Sequence, residues 1–320
     1  MYVHPAIAAL RGDRASQHRA QLPLLEAVQC WQESDRPRAL AGDLEDYSAG
    51  KPLADCEAFS AMFADHHGAL EWLGDVCGAV INALRQEPLG DVPFRTNCSD
   101  SYSTVQLMSA GQATLSLTMH APRNGSRAPE TALLVDRESN ELILAGEAQG
   151  LLHRFGSAIA GTVDTTDHLW RAGDQIALAP DDARHMVAIE RPLLTLHLTR
   201  AAPLPRPTRK LRLADGQLLK SASGDKQVSR DQLALAVLGA MERREALPIL
   251  QDLSQDRERG SDLRWEAVRQ ALAIDPARGF AVLDALAGRT DDPLGAPATS
   301  LREQLFATYP QLADTLPEAA

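Results

Sequence analysis

Apolar positions along the chain change their period twice. Through about residue 90 they recur at three- and four-residue steps, which predicts helices near 18–31 and 54–86. The second carries the clearer stripe, from Phe59, Met62 and Phe63 through His66, Leu70 and Leu73 to Cys77, Val80, Ile81 and Leu84. From Pro93 the period shortens. Thr104–Met108, Ala113–Met119, Thr131–Val135, Glu141–Ala145 and Gly150–Phe155 read as short strands, punctuated by Gly111, Asn124-Gly125, Glu138-Ser139-Asn140 and Gly146.

The densest pattern lies between Trp170 and Arg200. Ile176 and Leu178 alternate with smaller neighbours until Pro180 stops the ladder, Asp181-Asp182 supplies turn chemistry, and a second run opens at His185. A third run follows Pro192. Side chains alternate across a strand, so Leu194, Leu196 and Leu198 share one face there and Thr195, His197 and Thr199 share the other. The expected product is one small antiparallel barrel over 93–202, with His185 and His197 on neighbouring strands facing its interior.

Pro203, Pro205 and Pro207 mark a stiff junction, and Asp215-Gly216 predicts a hairpin between Leu211–Leu213 and Leu218–Lys220. Helical periodicity then returns in five pieces, 231–244, 246–253, 262–274, 276–287 and 298–308, with Asp275-Pro276 as an N-cap followed by proline at the first helical position. Trp265, Val268 and Leu272 share one helical face, where the indole is a core anchor or a partner contact. The expected organisation is an N-terminal helical region (1–90), a β-barrel (91–205), a linker and hairpin (206–227) and a C-terminal helical domain (228–320), an α+β chain.

Gly173-Asp174, Pro180 and His185 resemble the second motif of the cupin barrels, in which a Gly-Asp strand start, a Pro-centred turn and a His five residues later place a metal ligand inside a jelly roll. Asp182 stands where that family has Gly, and Ile189 where it has Asn. The run Leu194-Thr195-Leu196-His197-Leu198 is similar to the closing strand of the cysteine dioxygenase branch, which implies that His197 stands beside the metal site without ligating the metal; Thr199 replaces that branch's tyrosine. The stretch from Leu263 to Ala287 resembles a HEAT-type helical hairpin, with 231–253 as a weaker copy, and such arrays offer surfaces to other proteins.

Composition narrows the function. A net charge of −11 opposes a phosphate backbone, which argues against nucleic acid. No window is long and apolar enough to span a bilayer, and the start lacks an export signal, so a cytoplasmic protein is expected. Cys30, Cys56, Cys77 and Cys98 are too far apart in sequence for a thiolate pair and read as free thiols. His66-His67 are adjacent on a helix and diverge by about 100°, so they do not chelate one ion together.

An iron-dependent cupin needs a His-x-His pair near its first motif. The chain has none; Glu130 is the ligand-type side chain at about that place, and a rescued site would draw His185 and Glu130 together with His120 or His153. No metal and no cofactor is therefore expected. Two functions follow: a cupin-like small-molecule-binding or regulatory module with an incomplete metal site and a helical protein-interaction domain, or a non-haem iron (or other divalent metal) dioxygenase related to the thiol dioxygenases. The first is preferred and leaves His185, His197, Thr195, Thr199 and Glu130 as pocket candidates, able to take a small anion or carboxylate.

Overall fold

The structure, a computed structural model, describes residues 5, 7, 12–123, 125, 129–155, 163–203 and 205–310. Asn124 of the turn expected at Asn124-Gly125 and the last ten residues of the C-terminal domain lie outside the described residues. The chain divides into two compact units, one of residues 1–205 with 209–220 and the other of 206–208 with 221–320.

In the first unit the N-terminal helices are α1 (Arg14–Gln32), α2 (Asp35–Ser48), α3 (Glu57–Ala64) and α4 (His66–Gln86). The Asp13 carboxylate caps α1 by accepting from the amides of Ala15 and Ser16, and Ala20, Leu24, Val28 and Trp31 bury its inner face. Helix α2 was not expected; Pro37 masked it, although Leu40, Leu44 and Tyr47 have helical spacing and are all buried. The helix expected over 54–86 is two. Asp65 breaks it and caps α4 by accepting from the His67 amide at 3.1 Å, so His66 is the first residue of a helix and not part of a continuous stripe. Its ring stands beside Gly173, whose φ of +94° takes the chain through a tight turn that a Cβ would crowd.

The strands are β1 (Arg95–Cys98), β2 (Tyr102–Ala110), β3 (Ala113–His120), β4 (Thr131–Leu134), β5 (Arg137–Ala145), β6 (Glu147–Phe155), β7 (Val163–Arg171), β8 (Gln175–Leu178), β9 (Asp182–Ala188), β10 (Leu193–Ala201), β11 (Thr208–Arg212) and β12 (Leu218–Ala222). They form a six-stranded sheet in the order β1-β2-β3-β10-β5-β8 and two three-stranded sheets, β12-β11-β4 and β7-β6-β9. Every pairing whose register is described is antiparallel.

One closed barrel was expected, and among the described residues three separate sheets stand in its place. The Pro180 turn is the physical reason. It carries the chain from β8 in the six-stranded sheet to β9 in another, with the Ala179 amide on the Asp182 carboxylate and the Asp182 amide on the Ala179 carbonyl. It is a corner between sheets, and no ladder closes across it. The turn expected at Glu138-Ser139-Asn140 is also displaced: these residues lie inside β5, opposite Arg200, Thr199 and Leu198 of β10.

Strand β10 sits between β3 and β5 and divides two cores. Its Leu194, Leu196 and Leu198 pack with Leu142 and Leu144 of β5 against the N-terminal helices, in one cluster with Trp31, Tyr47, Phe59 and Trp72. On the opposite face, Leu193, Ile143 and Ile176 meet Ala148, Trp170 and Met186 of the β7-β6-β9 sheet. Two sheets thus stack face to face. Ala132, Leu134 and Leu211 of the third sheet close on Ala183.

The second unit is α5 (Lys226–Ala240), α6 (Leu247–Gln255), α7 (Ser261–Ile274), α8 (Pro276–Ala287) and α9 (Gly295–Thr308). Asp275 caps α8 on the Arg278 amide with Pro276 at its first position, as the sequence predicts. Leu250, Leu263 and Ala267 fill one core, Phe280, Leu283 and Leu286 the next, and Trp265 packs on the latter. Arg264 and Asp292 form an ion pair at 2.5 Å with side chains 3% and 0% exposed.

Candidate functional site

Between the stacked sheets the apolar core gives way to polar groups. On β5, Ser139 and Glu141 continue the face that begins with Ile143; on β10, Thr195 and His197 continue that of Leu193; β9 contributes Arg184 and His185. Arg137, Ser139, Glu141, Arg184, His185 and His197 line one cavity of about 290 Å³, whose rim includes Val135, Leu178 and Ala179.

Glu141 is the centre of this cluster. Its side chain is 4% exposed, Arg184 Nε donates to its Oε2 at 2.6 Å, and His197 Nδ1 stands 3.6 Å from Oε1. On its far side His197 Nε2 meets the Thr195 hydroxyl at 2.6 Å, and that hydroxyl also donates to the Thr118 carbonyl at 3.3 Å. Burial alone would raise the Glu141 pKa; the Arg184 charge beside it, with His197, outweighs this and holds the carboxyl below its usual range.

Burial acts on the imidazoles in the other sense and lowers them. Burial pushes His197 down to about 4; the Glu141 charge opposes this, while Arg184 and Arg137 add to it. His185 also falls to about 4, through burial first and then His153, Arg123 and Arg184. Burial, Arg184, His197 and Arg123 bring His120 to about 4, against the pull of Glu141. At pH 7 these rings are neutral, so the cations on the cavity wall are Arg137 and Arg184.

The residues singled out from sequence separate here. His185 and His197 reach the same cavity, but from different sheets: β9 pairs with β6, and β10 with β3 and β5, so they do not lie on neighbouring strands of a ladder. Thr195 is fully buried, bonds His197 and the Thr118 carbonyl, and is not on the cavity wall. Thr199 lies opposite Ser139 across the ladder and Glu130 is exposed at the entry to β4; neither is on the cavity wall. His153 is 2% exposed and bonds Thr165 through Nδ1 at 2.9 Å.

His120 Nε2, His153 Nε2 and His185 Nδ1 are buried without a hydrogen-bond partner, and the His153 and His185 rings stand 5.2 Å apart. Yet among the described residues no three His, Cys, Asp or Glu side chains converge as ligands. The expected rescue by Glu130 with His120 or His153 is not assembled among the described residues.

No protein-family model matches the chain, and no curated protein matches its sequence. Among solved structures it is similar to the CENP-C cupin domain of Drosophila melanogaster, at 13% identity over 34% of this chain and 71% of that one, TM-score 0.28. It is also similar to HutD from Pseudomonas fluorescens, at 11% identity over 34% of this chain and 57% of that one, TM-score 0.25. The capsular polysaccharide assembling protein CapF from Staphylococcus aureus gives 10% identity over 40% of this chain and 34% of its own length, TM-score 0.27. The chain thus spans a third of CapF and little more than half of HutD. Likeness this low transfers nothing of what those proteins assemble or bind.

Four cavity residues escaped the sequence reading: Arg137, Ser139, Glu141 and Arg184. The signal for Glu141 was present, since a carboxylate directly before Leu142-Ile143-Leu144 in a buried strand has to find a cation. Taking Glu138-Ser139-Asn140 for a turn hid the alternation that puts Ser139 and Glu141 on one face. Arg184 had no local signal, because its partner lies 43 residues away on another sheet.

No helix among the described residues is long and apolar enough to cross a membrane.

Proposed function

We propose that the chain is a cupin-like small-molecule-binding or regulatory module whose ligand sits between the β5/β10 face and β9. One observation carries this reading: a cavity of about 290 Å³, with a buried ion pair and two neutral histidines on its wall, opens beside the apolar core that two sheets share. An interior built only for stability would fill that space with apolar side chains, since a buried ion pair contributes little net stability. The Gly173-Asp174, Pro180 and His185 pattern supports the cupin reading, and the stacked sheets suit a jelly roll whose metal motif has degenerated. The thiol dioxygenase reading requires ligands beside His185 that do not converge.

The same proposal gives the C-terminal helices, read as HEAT-like, the part of a protein-interaction unit. Its support is the exposure of Leu233 and Val237 on α5 and of Met241 at its C-cap, four residues apart. Thermal-shift screening of a library of small polar metabolites tests the main reading. Hits are expected with the native chain and not with Ala179→Trp, which plugs the cavity rim from an exposed position; hits that persist in Ala179→Trp, or no hit at all, contradict it.

A further inference from the structure

The cavity's own chemistry selects among ligands, and this step rests on the proposal that the cavity is a ligand site. Arg184 is held from one side only. Glu141 takes its Nε, and among the described residues its two terminal nitrogens make no hydrogen bond, although neither is sealed from solvent. A guanidinium has five N–H donors in a rigid plane, so a carboxylate fixing the Nε edge leaves the terminal edge oriented and unsatisfied. Its side chain is 13% exposed and the opening is the cavity.

Arg137 lines the same cavity and has no side-chain partner among the described residues. The carboxylates on the wall are already engaged: Glu141 by Arg184, and Asp182 by the Ala179 amide of the corner turn at 3.2 Å. His185 and His197 are neutral at pH 7 and add no charge. The unsatisfied charged groups on the wall are therefore donors on cations, and the one other buried polar atom of the wall without a partner among the described residues is Nδ1 of the neutral His185.

We infer that the cavity binds a small molecule through a carboxylate, which the terminal nitrogens of Arg184 grip side-on while Arg137 supplies a second positive charge. The planar fork matches two carboxylate oxygens, and partial burial lets charge-assisted hydrogen bonds act at low local dielectric. At about 290 Å³ the site is at the lower limit of ligand pockets and suits a molecule of metabolite size. Glu141 is then a positioning residue that sets the angle of the guanidinium.

Calorimetric titration with succinate and with its neutral diamide, at equal ionic strength, tests the inference. Succinate is expected to bind, and the diamide at least about tenfold more weakly, because it brings no charge to the guanidinium. Arg184→Lys keeps a cation for Glu141 but loses the fork, and is expected to weaken succinate by about tenfold or more without lowering the melting temperature by much. Arg137→Gln, at an exposed position, is expected to weaken it as well. If the diamide binds as tightly as succinate, or if both variants bind like the native chain, the carboxylate inference is wrong and the cavity reading stands. If neither probe binds while the metabolite screen yields neutral hits blocked by Ala179→Trp, the carboxylate inference again falls alone. If nothing binds in either experiment, both fall.

Discussion

Arg184 Nε donates to Glu141 Oε2 at 2.6 Å, joining a strand of the six-stranded sheet to a strand of the sheet stacked on it, with side chains 13% and 4% exposed. Removing one partner leaves a charge buried without compensation. Arg184→Met is therefore expected to cost about 3–5 kcal/mol, and the double change Arg184→Met with Glu141→Leu much less. Urea unfolding of the two single variants and the double variant completes the cycle; additive losses would show that the pair is not coupled.

Stability should fall with acid. His120, His185 and His197 have folded-state pKa values of about 4 against an ordinary 6.5, so between those limits the unfolded chain binds more protons than the folded one. The stability they contribute is complete above pH 6.5 and is lost as pH falls through about 4. Glu141, held low by Arg184, adds to the loss on the acid side. Urea midpoints at pH 7.5, 6 and 5 should decline in that order, and His197→Gln should flatten the slope; a constant midpoint is the contrary result.

Arg200 ties the sheet to α2. Its NH1 donates to the carbonyls of Tyr47 and Lys51 at 2.7 and 3.1 Å, its NH2 to Glu138 at 2.6 Å, and its guanidinium lies 4.4 Å from the Tyr47 ring centre. Arg200→Ala is expected to cost about 2–4 kcal/mol, and Arg200→Lys to recover little because a single ammonium cannot repeat the fork. Thermal unfolding measures both. A loss within error of zero would mean that these carbonyls are equally well served by solvent.

Two compact units imply two transitions. Phe280 is fully buried and stands 4.9 Å from the Phe306 ring, so Phe280→Ala is expected to remove about 3–5 kcal/mol from the second unit. Calorimetry should show one transition shifted and the other, carrying the β-sheets, unmoved. A single transition that shifts as a whole would show that the units fold as one.

Much of this architecture was legible because it is local. The alternation of Leu194, Leu196 and Leu198 with Thr195, His197 and Thr199 read directly as a strand between an apolar and a polar environment, and Asp215-Gly216 as a hairpin, which Gly216 makes at φ +68°. Edge strands were not legible: β7 is polar and largely exposed, so Asp164, Thr165, Thr166 and Asp167 leave no hydrophobic period. Nor was sheet membership. The sequence shows a turn at Pro180, but whether it closes a hairpin or rounds a corner depends on the twist of sheets built from residues far away. The site shared that fate, for two of its histidines stood out by parity while Glu141 and Arg184 acquired meaning only when β5 and β9 faced each other.

The central claim, that the space between these sheets is a ligand site, is tested most directly by nuclear magnetic resonance of the histidine-labelled chain during titration with hits from the small-metabolite screen. The imidazole signals of His185 and His197 are predicted to move together with one saturation curve, while those of the exposed His18 and His67 stay fixed. Ligand-dependent shifts confined to other histidines, or a ligand that binds and leaves His185 and His197 unmoved, would contradict it.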